Sequence, residues 1–338
     1  MQHQPNGIIL IDKPAGISSA KVVTIVKKSL KIKKAGHTGT LDPFATGLLI
    51  CCLNNATKIA DFLIKDKKEY EAVLHLGIET DTEDRTGKTI ATCDKIIFSD
   101  KEINSVFQHF KGKIEQIPPV YSALKHKGVP LYKLARKGIP VRKPARTIII
   151  SDIKILNINL PEIHFKVWCS AGTYIRTLAS DIGKKIGCGG HLKSLRRIQS
   201  GLFSVNDSIK LDKLEKLSLT KQNYDMLSNR IIRMTDALPD IPAFFADEMQ
   251  TARIKNGCIL TDYDFHYDYN TFENGYAKIL DNQNNLIAIV KYDNKNNIYK
   301  YNAVFNSAPF LRNEDELTSP TMYHSFRPSL PDIKVQKS

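Results

Sequence analysis

A run of twelve residues near the start of the chain, Gly36-His37-Thr38-Gly39-Thr40-Leu41-Asp42-Pro43-Phe44-Ala45-Thr46-Gly47, sets one carboxylate in a stretch rich in turn formers. Glycines release the backbone from its usual φ limits, Pro43 fixes φ directly after the acid, and His37 and Thr38 bring polar groups onto the approach. A carboxylate presented in this way can serve as a nucleophile or as a general base. An Asp ahead of Pro is also an ordinary turn initiator, and local composition alone leaves both readings open.

Other chemistries find little support. The six cysteines, at positions 51, 52, 93, 169, 188 and 258, contain no C-x-x-C pair, and no histidine stands at zinc-ligand spacing. Free thiols and no metal are expected. Cys51 and Cys52 follow Leu48-Leu49-Ile50, where small apolar packing is the natural role. No G-x-x-x-x-G-K-[ST] run provides a phosphate cradle for a nucleotide.

The elements that must hold Asp42 can be read from periodicity. Gly7-Ile8-Ile9-Leu10-Ile11 reads as a buried strand, and Ser18 or Ser19 caps a helix carrying Val22, Val23, Val26 and Leu30 at helical spacing. Tyr70, Ala72, Leu74 and Leu76 alternate with Glu71, Val73 and His75, as in a strand with one face in the core. Ser99 and Glu102 form a capping box ahead of Ile103, Val106, Phe107 and Phe110. Ile163, Phe165, Val167 and Cys169 alternate again and lead through Gly172-Thr173-Tyr174 into a helix marked by Ile175, Leu178, Ile182 and Ile186. Without a regular βαβ rhythm the fold class is α+β, with a mixed or antiparallel central sheet. By periodicity alone Arg176 is a surface arginine of that last helix, and Tyr70 is a core tyrosine.

The run Gly36–Gly47, continued by Ala56-Thr57-Lys58, resembles the catalytic loop of the TruB family of tRNA pseudouridine synthases. The likeness continues in order through Asp12-Lys13-Pro14, Lys68-Glu69-Tyr70, Gly77–Thr82, Gln116–Lys125, Gly172–Leu178, Gly187–Leu192 and Leu195-Arg196-Arg197. It covers residues 7 to 235 strongly and is weak beyond. The resemblance implies a pseudouridine synthase fold and isomerisation of the uridine at position 55 in the TΨC loop of tRNA. In that reaction the bond from ribose C1′ to N1 of uracil breaks, the base rotates, and C1′ joins C5, without redox change or cofactor. The family's positions map onto Asp42 as the carboxylate, Arg176 as its cationic partner, Tyr70 as the tyrosine stacking on uracil, and Leu195 as an apolar wall. His37 corresponds to the residue filling the space left by the flipped base, and Lys13 and Tyr174 to further pocket residues.

Charge fits a polyanionic partner. Residues 1–240 hold 39 Lys and Arg against 23 Asp and Glu, whereas residues 241–338 hold 10 against 12. Residues 118–146 carry eight basic and no acidic residues, among them Lys125, Lys127, Arg136 and Lys137, and read as a protruding hairpin or short helix. Pro130 suits a helix start there and Gly138 its end. The family carries an RNA-clamping insertion at this place, which favours a stand-alone enzyme over the guide-RNA-dependent branch. A solvated basic surface, or an RNA-folding chaperone without chemistry, would show the same charge. The domains expected are a catalytic domain over 1–240, a small PUA-like β-barrel over 241–305, and a tail of unknown structure over 306–338. No apolar run of about 20 residues and no secretory leader pattern are seen, so a cytoplasmic location without membrane contact is expected, and the resemblance implies a monomer acting on the T-arm and elbow of tRNA.

Overall fold

The computed structural model describes residues 5–217, 227–261, 264–265 and 275–305. The expected tail over 306–338 lies outside them.

Two apolar strands lie side by side in the main sheet. β1 (Gly7–Lys13) and β3 (Thr46–Leu53) are buried almost throughout, as expected of strands covered on both faces. α1 (Ser19–Ser29) lies between them in sequence; Ser18 caps it by accepting from the Lys21 N–H, and Val22 and Val26 are its buried stripe. β2 (Ala35–Thr38) pairs with β3. A short helix, α2 (Ala60–Ile64), leads to β4 (Lys68–Leu76), whose every second residue is buried. A small hairpin, β5 (Ile78–Thr80) with β6 (Thr89–Thr92), follows. α3 (Asp100–His109) then begins at the capping box expected from Ser99 and Glu102.

β7 (Gly112–Gln116) ends where the basic insertion leaves. The insertion contains a hairpin, β8 (Lys125–His126) with β9 (Val129–Pro130), and a short helix, α4 (Leu131–Ala135), so both forms read from the sequence occur together. β10 (Arg146–Asn159) returns antiparallel to β7 and turns into β11 (Glu162–Cys169). α5 (Ile175–Ile186), β12 (Gly190–Ser200), β13 (Phe203–Ser204), β14 (Ile209–Lys210) and α6 (Leu211–Leu217) complete this part. Along the main sheet the order is β14-β1-β3-β12-β4-β11-β10-β7, with β2 on β3 and β13 on β12. β1 with β14 and β3 with β12 are parallel and the other pairs antiparallel, so the sheet is mixed as expected.

Register brings the candidate residues together. Arg196 and Arg197 of β12 pair with Thr46 and Gly47, where the Asp42 loop enters β3, while Arg197 also pairs with Tyr70 and Leu195 with Ala72 of β4. Gly47 has φ +99, and a Cβ on it would stand 2.2 Å from the Arg197 carbonyl oxygen. Only glycine allows the loop to enter β3 so close to β12.

The last part is a curled sheet of five strands in the order β15-β17-β18-β19-β16, consistent with a PUA-like domain. Its strands are β15 (Ala243–Phe245), β16 (Leu260–Thr261), β17 (Tyr276–Leu280), β18 (Leu286–Asp293) and β19 (Ile298–Val304), and α7 (Glu248–Lys255) follows β15. Phe244, Ile254, Ile287, Val290 and Tyr299 form its own core. Leu280, Leu286, Ile289 and Phe305 instead join Ile8, Leu10, Leu48 and Ile50 in a shared apolar cluster. Among the described residues no helix is long and apolar enough to cross a membrane.

Candidate active site

Asp42 sits at the point where the loop is tied down from three sides. Ser19, the first residue of α1, donates its hydroxyl to the Leu41 carbonyl and accepts from the Leu41 N–H, each at 2.9 Å. Lys13, at the end of β1, is fully buried and donates to the carbonyls of Pro14, Pro43 and Ala45 at 2.9, 3.2 and 2.6 Å. Desolvation pulls the Lys13 ammonium down to about 8, against the Asp42 charge, which raises it. Arg197, also buried, donates from Nε to the Leu48 carbonyl at 2.7 Å and from Nη2 to the Gly39 carbonyl at 3.0 Å. The turn reading of Asp42 holds: the Ala45 N–H closes a turn on the Asp42 carbonyl at 3.1 Å, and the side chain takes no part in it.

Arg176 faces that side chain. Its Nε lies 2.9 Å from Asp42 Oδ2, and the guanidinium is 4% exposed. The surface position that periodicity gave it is therefore corrected: residues Ile175 to Ser180 of α5 are all buried, because the first turns of this helix lie against the sheet. The remaining donors of Arg176 are also used. Nη1 donates to the Thr82 carbonyl at 2.8 Å and approaches Asp84 Oδ2 at 3.5 Å, and Nη2 donates to the Tyr121 carbonyl at 2.7 Å. Asp84 is itself buried, its Oδ1 accepting from the Thr82 hydroxyl and from the N–H and hydroxyl of Thr86. Burial raises the pKa of Asp42 above the ordinary carboxylate value; Arg176 opposes this and Asp84 adds to it.

Tyr70 is buried with Leu41, Phe44, Ala45, Ala72 and Leu195 in one apolar cluster. It is at once a core tyrosine and a neighbour of the site. Burial raises its phenol, and the nearby Arg197 guanidinium works against that shift. His37, half-buried on β2, is pushed down by burial and by Arg197, which favours the neutral ring. Tyr174 is the N-cap of α5, its N–H donating to Gln116 Oε1 at 2.8 Å and its carbonyl accepting from Gln116 Nε2 at 3.0 Å. Asp42, Arg176, Tyr70, Leu195 and Lys13 thus converge on one place. Lys125, Lys127, Arg136 and Lys137 do not join them; all four are exposed on the insertion. Arg146 is set apart from that basic group, its guanidinium donating to the Gly172 carbonyl and lying 4.8 Å over the Tyr174 ring.

Sequence reasoning gave no duty to Asp84, Gln116 or Arg197. Asp84 stands in the turn-rich run Asp81-Thr82-Glu83-Asp84-Arg85-Thr86-Gly87, and an acid among threonines in a turn is the signal that could have found it. Among the described residues no group of three or more His, Cys, Asp or Glu could hold a metal ion. What the arrangement can do is present an ionisable carboxylate, one-third exposed, paired with a buried guanidinium.

The chain is similar to known proteins over most of its length. Residues 27–175 match the family model described as TruB family pseudouridylate synthase, N terminal domain, and residues 176–238 match the tRNA pseudouridylate synthase B C-terminal domain. The chain is 46% identical to tRNA pseudouridine synthase B of Clostridium tetani over 76% of its own length and 86% of that protein. With tRNA pseudouridine synthase B of Syntrophotalea carbinolica it shares 39% identity over 85% and 92% of the two chains. Among solved structures, a chain of a Cbf5–Nop10–Gar1 complex superposes with a TM-score of 0.67 at 27% identity, covering 91% of this chain and 88% of that one. A chain of an H/ACA ribonucleoprotein bound to a substrate RNA containing 2′-deoxyuridine gives 0.64 at 25% identity, covering 90% and 85%. On its matches to both family models and to relatives along most of their length, the chain belongs to the TruB family of pseudouridylate synthases.

Proposed function

We propose that this chain isomerises uridine in tRNA to pseudouridine, at position 55 of the TΨC loop, as a stand-alone cytoplasmic monomer that needs no guide RNA. The observation that carries the reading is the Asp42–Arg176 pair at 2.9 Å, set against the cluster holding Tyr70 and Leu195. Asp42 is the catalytic carboxylate, acting at C1′ or C2′ of the flipped uridine, and Arg176 keeps it ionised and aimed. Tyr70 stacks on the uracil as a neutral phenol. Burial raises its pKa, which favours the neutral phenol at rest, and removal of the C5 proton falls to Tyr70, directly or through solvent. Leu195 walls the pocket, His37 fills the stack left by the base, and Lys13 and Tyr174 shape the site. Lys125, Lys127, Arg136 and Lys137 contact T-arm phosphates. Residues 1–240 form the catalytic domain and 241–305 the PUA-like domain.

The test is to incubate the protein with an unmodified tRNA transcript and map pseudouridine by chemical labelling. Product at position 55 from the wild type, and none from Asp42→Asn that still binds tRNA, is the expected result. Product formed by Asp42→Asn would remove Asp42 from the chemistry. A chaperone without chemistry would bind and refold tRNA in both proteins and form pseudouridine in neither.

A further inference from the structure

The basic insertion leaves the sheet at Gln116, the last residue of β7, and returns at Arg146, the first residue of β10; these two residues are paired across the strands. Both hold the same neighbour. Gln116, 1% exposed, clamps the backbone of Tyr174 with two hydrogen bonds, donating to its carbonyl and accepting from its N–H. Arg146 covers the ring of Tyr174 and donates to the Gly172 carbonyl. Gly172 has φ +83, and a Cβ there would lie 3.4 Å from the Arg146 guanidinium carbon, so the plane of the arginine rests directly on that turn. A third link runs from inside the insertion: the Tyr121 carbonyl accepts from Arg176, whose Nε meets Asp42.

We propose that Gln116 and Arg146 are positioning residues that join the basic insertion to the catalytic pair, so that the grip of the insertion on RNA and the aim of Tyr174 and Arg176 are set by one joint. This rests on the tRNA isomerase reading. The four exposed basic residues of the insertion hold phosphates, and any load they carry returns to the sheet through Gln116 and Arg146. There it meets the N-terminus of α5, which carries Arg176 two residues after Tyr174. Arg146 works through the flat face of its guanidinium, which an ammonium of equal charge lacks. A residue that merely touched phosphate would work through charge alone.

The experiment compares wild type with Arg146→Lys, Arg146→Met and Gln116→Glu. Single-turnover tritium release from tRNA carrying 5-tritiated uridine, tRNA affinity across a salt series, and hydrogen exchange of the peptide 172–178 are measured on each. If the joint positions the site, Arg146→Lys releases tritium about 10–100-fold more slowly while its tRNA Kd stays within about threefold. Its salt dependence is unchanged, and exchange in 172–178 is faster, as it is in Gln116→Glu, which can no longer donate to the Tyr174 carbonyl. The proposal is overturned if Arg146→Lys behaves as wild type while Arg146→Met flattens the salt slope by about 0.7–0.9, the result for a residue that neutralises one phosphate. Unchanged exchange in 172–178 in all three variants overturns it as well. Absence of tritium release by the wild type would refute the isomerase reading instead, and the exchange measurements would still decide whether the joint exists.

Discussion

Asp42→Asn should make the protein more stable relative to wild type as pH rises, although the substitution removes one half of an ion pair. Two effects compete at this carboxyl: burial and the Asp84 charge disfavour ionisation, and Arg176 at 2.9 Å favours it. The balance lies with burial, so the folded pKa stands above the ordinary 3.8. A carboxyl with a raised folded pKa contributes stability that is complete below its unfolded pKa and is lost as pH rises through the folded one. Between those two values the native state holds a proton that the unfolded chain has released, so wild type loses ground. The amide that replaces the carboxyl keeps a carbonyl to accept from Arg176 and has no proton to lose. The difference in unfolding free energy, variant minus wild type, should therefore climb in the acid range and level off above the folded pKa.

The magnitude is tied to a second, independent measurement. Each unit by which the folded pKa exceeds the unfolded one is worth about 1.4 kcal/mol. The folded value can be read from the acid limb of single-turnover tritium release as kcat/KM against pH. Urea midpoints of both proteins from pH 4 to 8, with m held equal, then give a plateau that must match the limb at about 1.4 kcal/mol per unit. Asp84→Asn should move the acid limb to lower pH, because it removes the negative charge that raises Asp42. A wild type that gains on Asp42→Asn as pH rises would refute this account. That outcome would mean that Arg176 outweighs burial and holds the folded pKa below the ordinary value.

Removing the charges of Lys125, Lys127, Arg136 and Lys137 together should weaken tRNA binding and lower the log–log salt slope by about 0.7–0.9 for each phosphate no longer neutralised; an unchanged slope would exclude them as the clamp. Lys13→Met leaves the Pro14, Pro43 and Ala45 carbonyls without their donor and should cost about 2–4 kcal/mol in urea unfolding, with tritium release falling more than affinity. A thiol reagent applied to the native protein should modify exposed Cys258 rapidly and half-buried Cys93 more slowly, and should spare Cys51, Cys52, Cys169 and Cys188 until unfolding. Mass spectrometry of the labelled peptides checks the order.

Much of this site was legible because local pattern and family motif coincide. The alternation from Lys68 to Leu76 placed Tyr70 on the core face, and the capping box at Ser99 and Glu102 fixed the start of α3. The exceptions are charged residues that burial turns inward. Arg196 and Arg197 are neighbours on β12 and so face opposite ways: Arg196 reaches Asp12 with a bidentate pair, and Arg197 points inward to carbonyls of the Asp42 loop. Strand period shows that one of the two must turn in, but not which. Lys13 is hidden for a different reason, since two of its three acceptors lie thirty or more positions away and become its neighbours only through the pairing of β1 with β3. Composition sets the C-terminal part apart, yet gives no sign that Leu280, Leu286, Ile289 and Phe305 share a core with β1 and β3.

The way Arg176 divides its donors explains how one arginine can hold Asp42 without disarming it. A carboxylate given a guanidinium to itself would be held far down in pKa, and would be a correspondingly weak base and nucleophile. Here Nε stands 2.9 Å from Asp42 as an ion-pair contact without a hydrogen bond, while Nη1 and Nη2 serve the Thr82 and Tyr121 carbonyls and a second carboxylate, Asp84, draws on the same positive charge at 3.5 Å. Orientation comes from the four-way anchoring of the guanidinium, and basicity survives because the charge is shared. On the proposed reading, an entering uridine displaces water from the one-third of the Asp42 side chain that is still exposed, and desolvation then raises the basicity of the carboxylate further. The buried Asp84 therefore has a double effect: it fixes Arg176, and it keeps Arg176 from quenching Asp42.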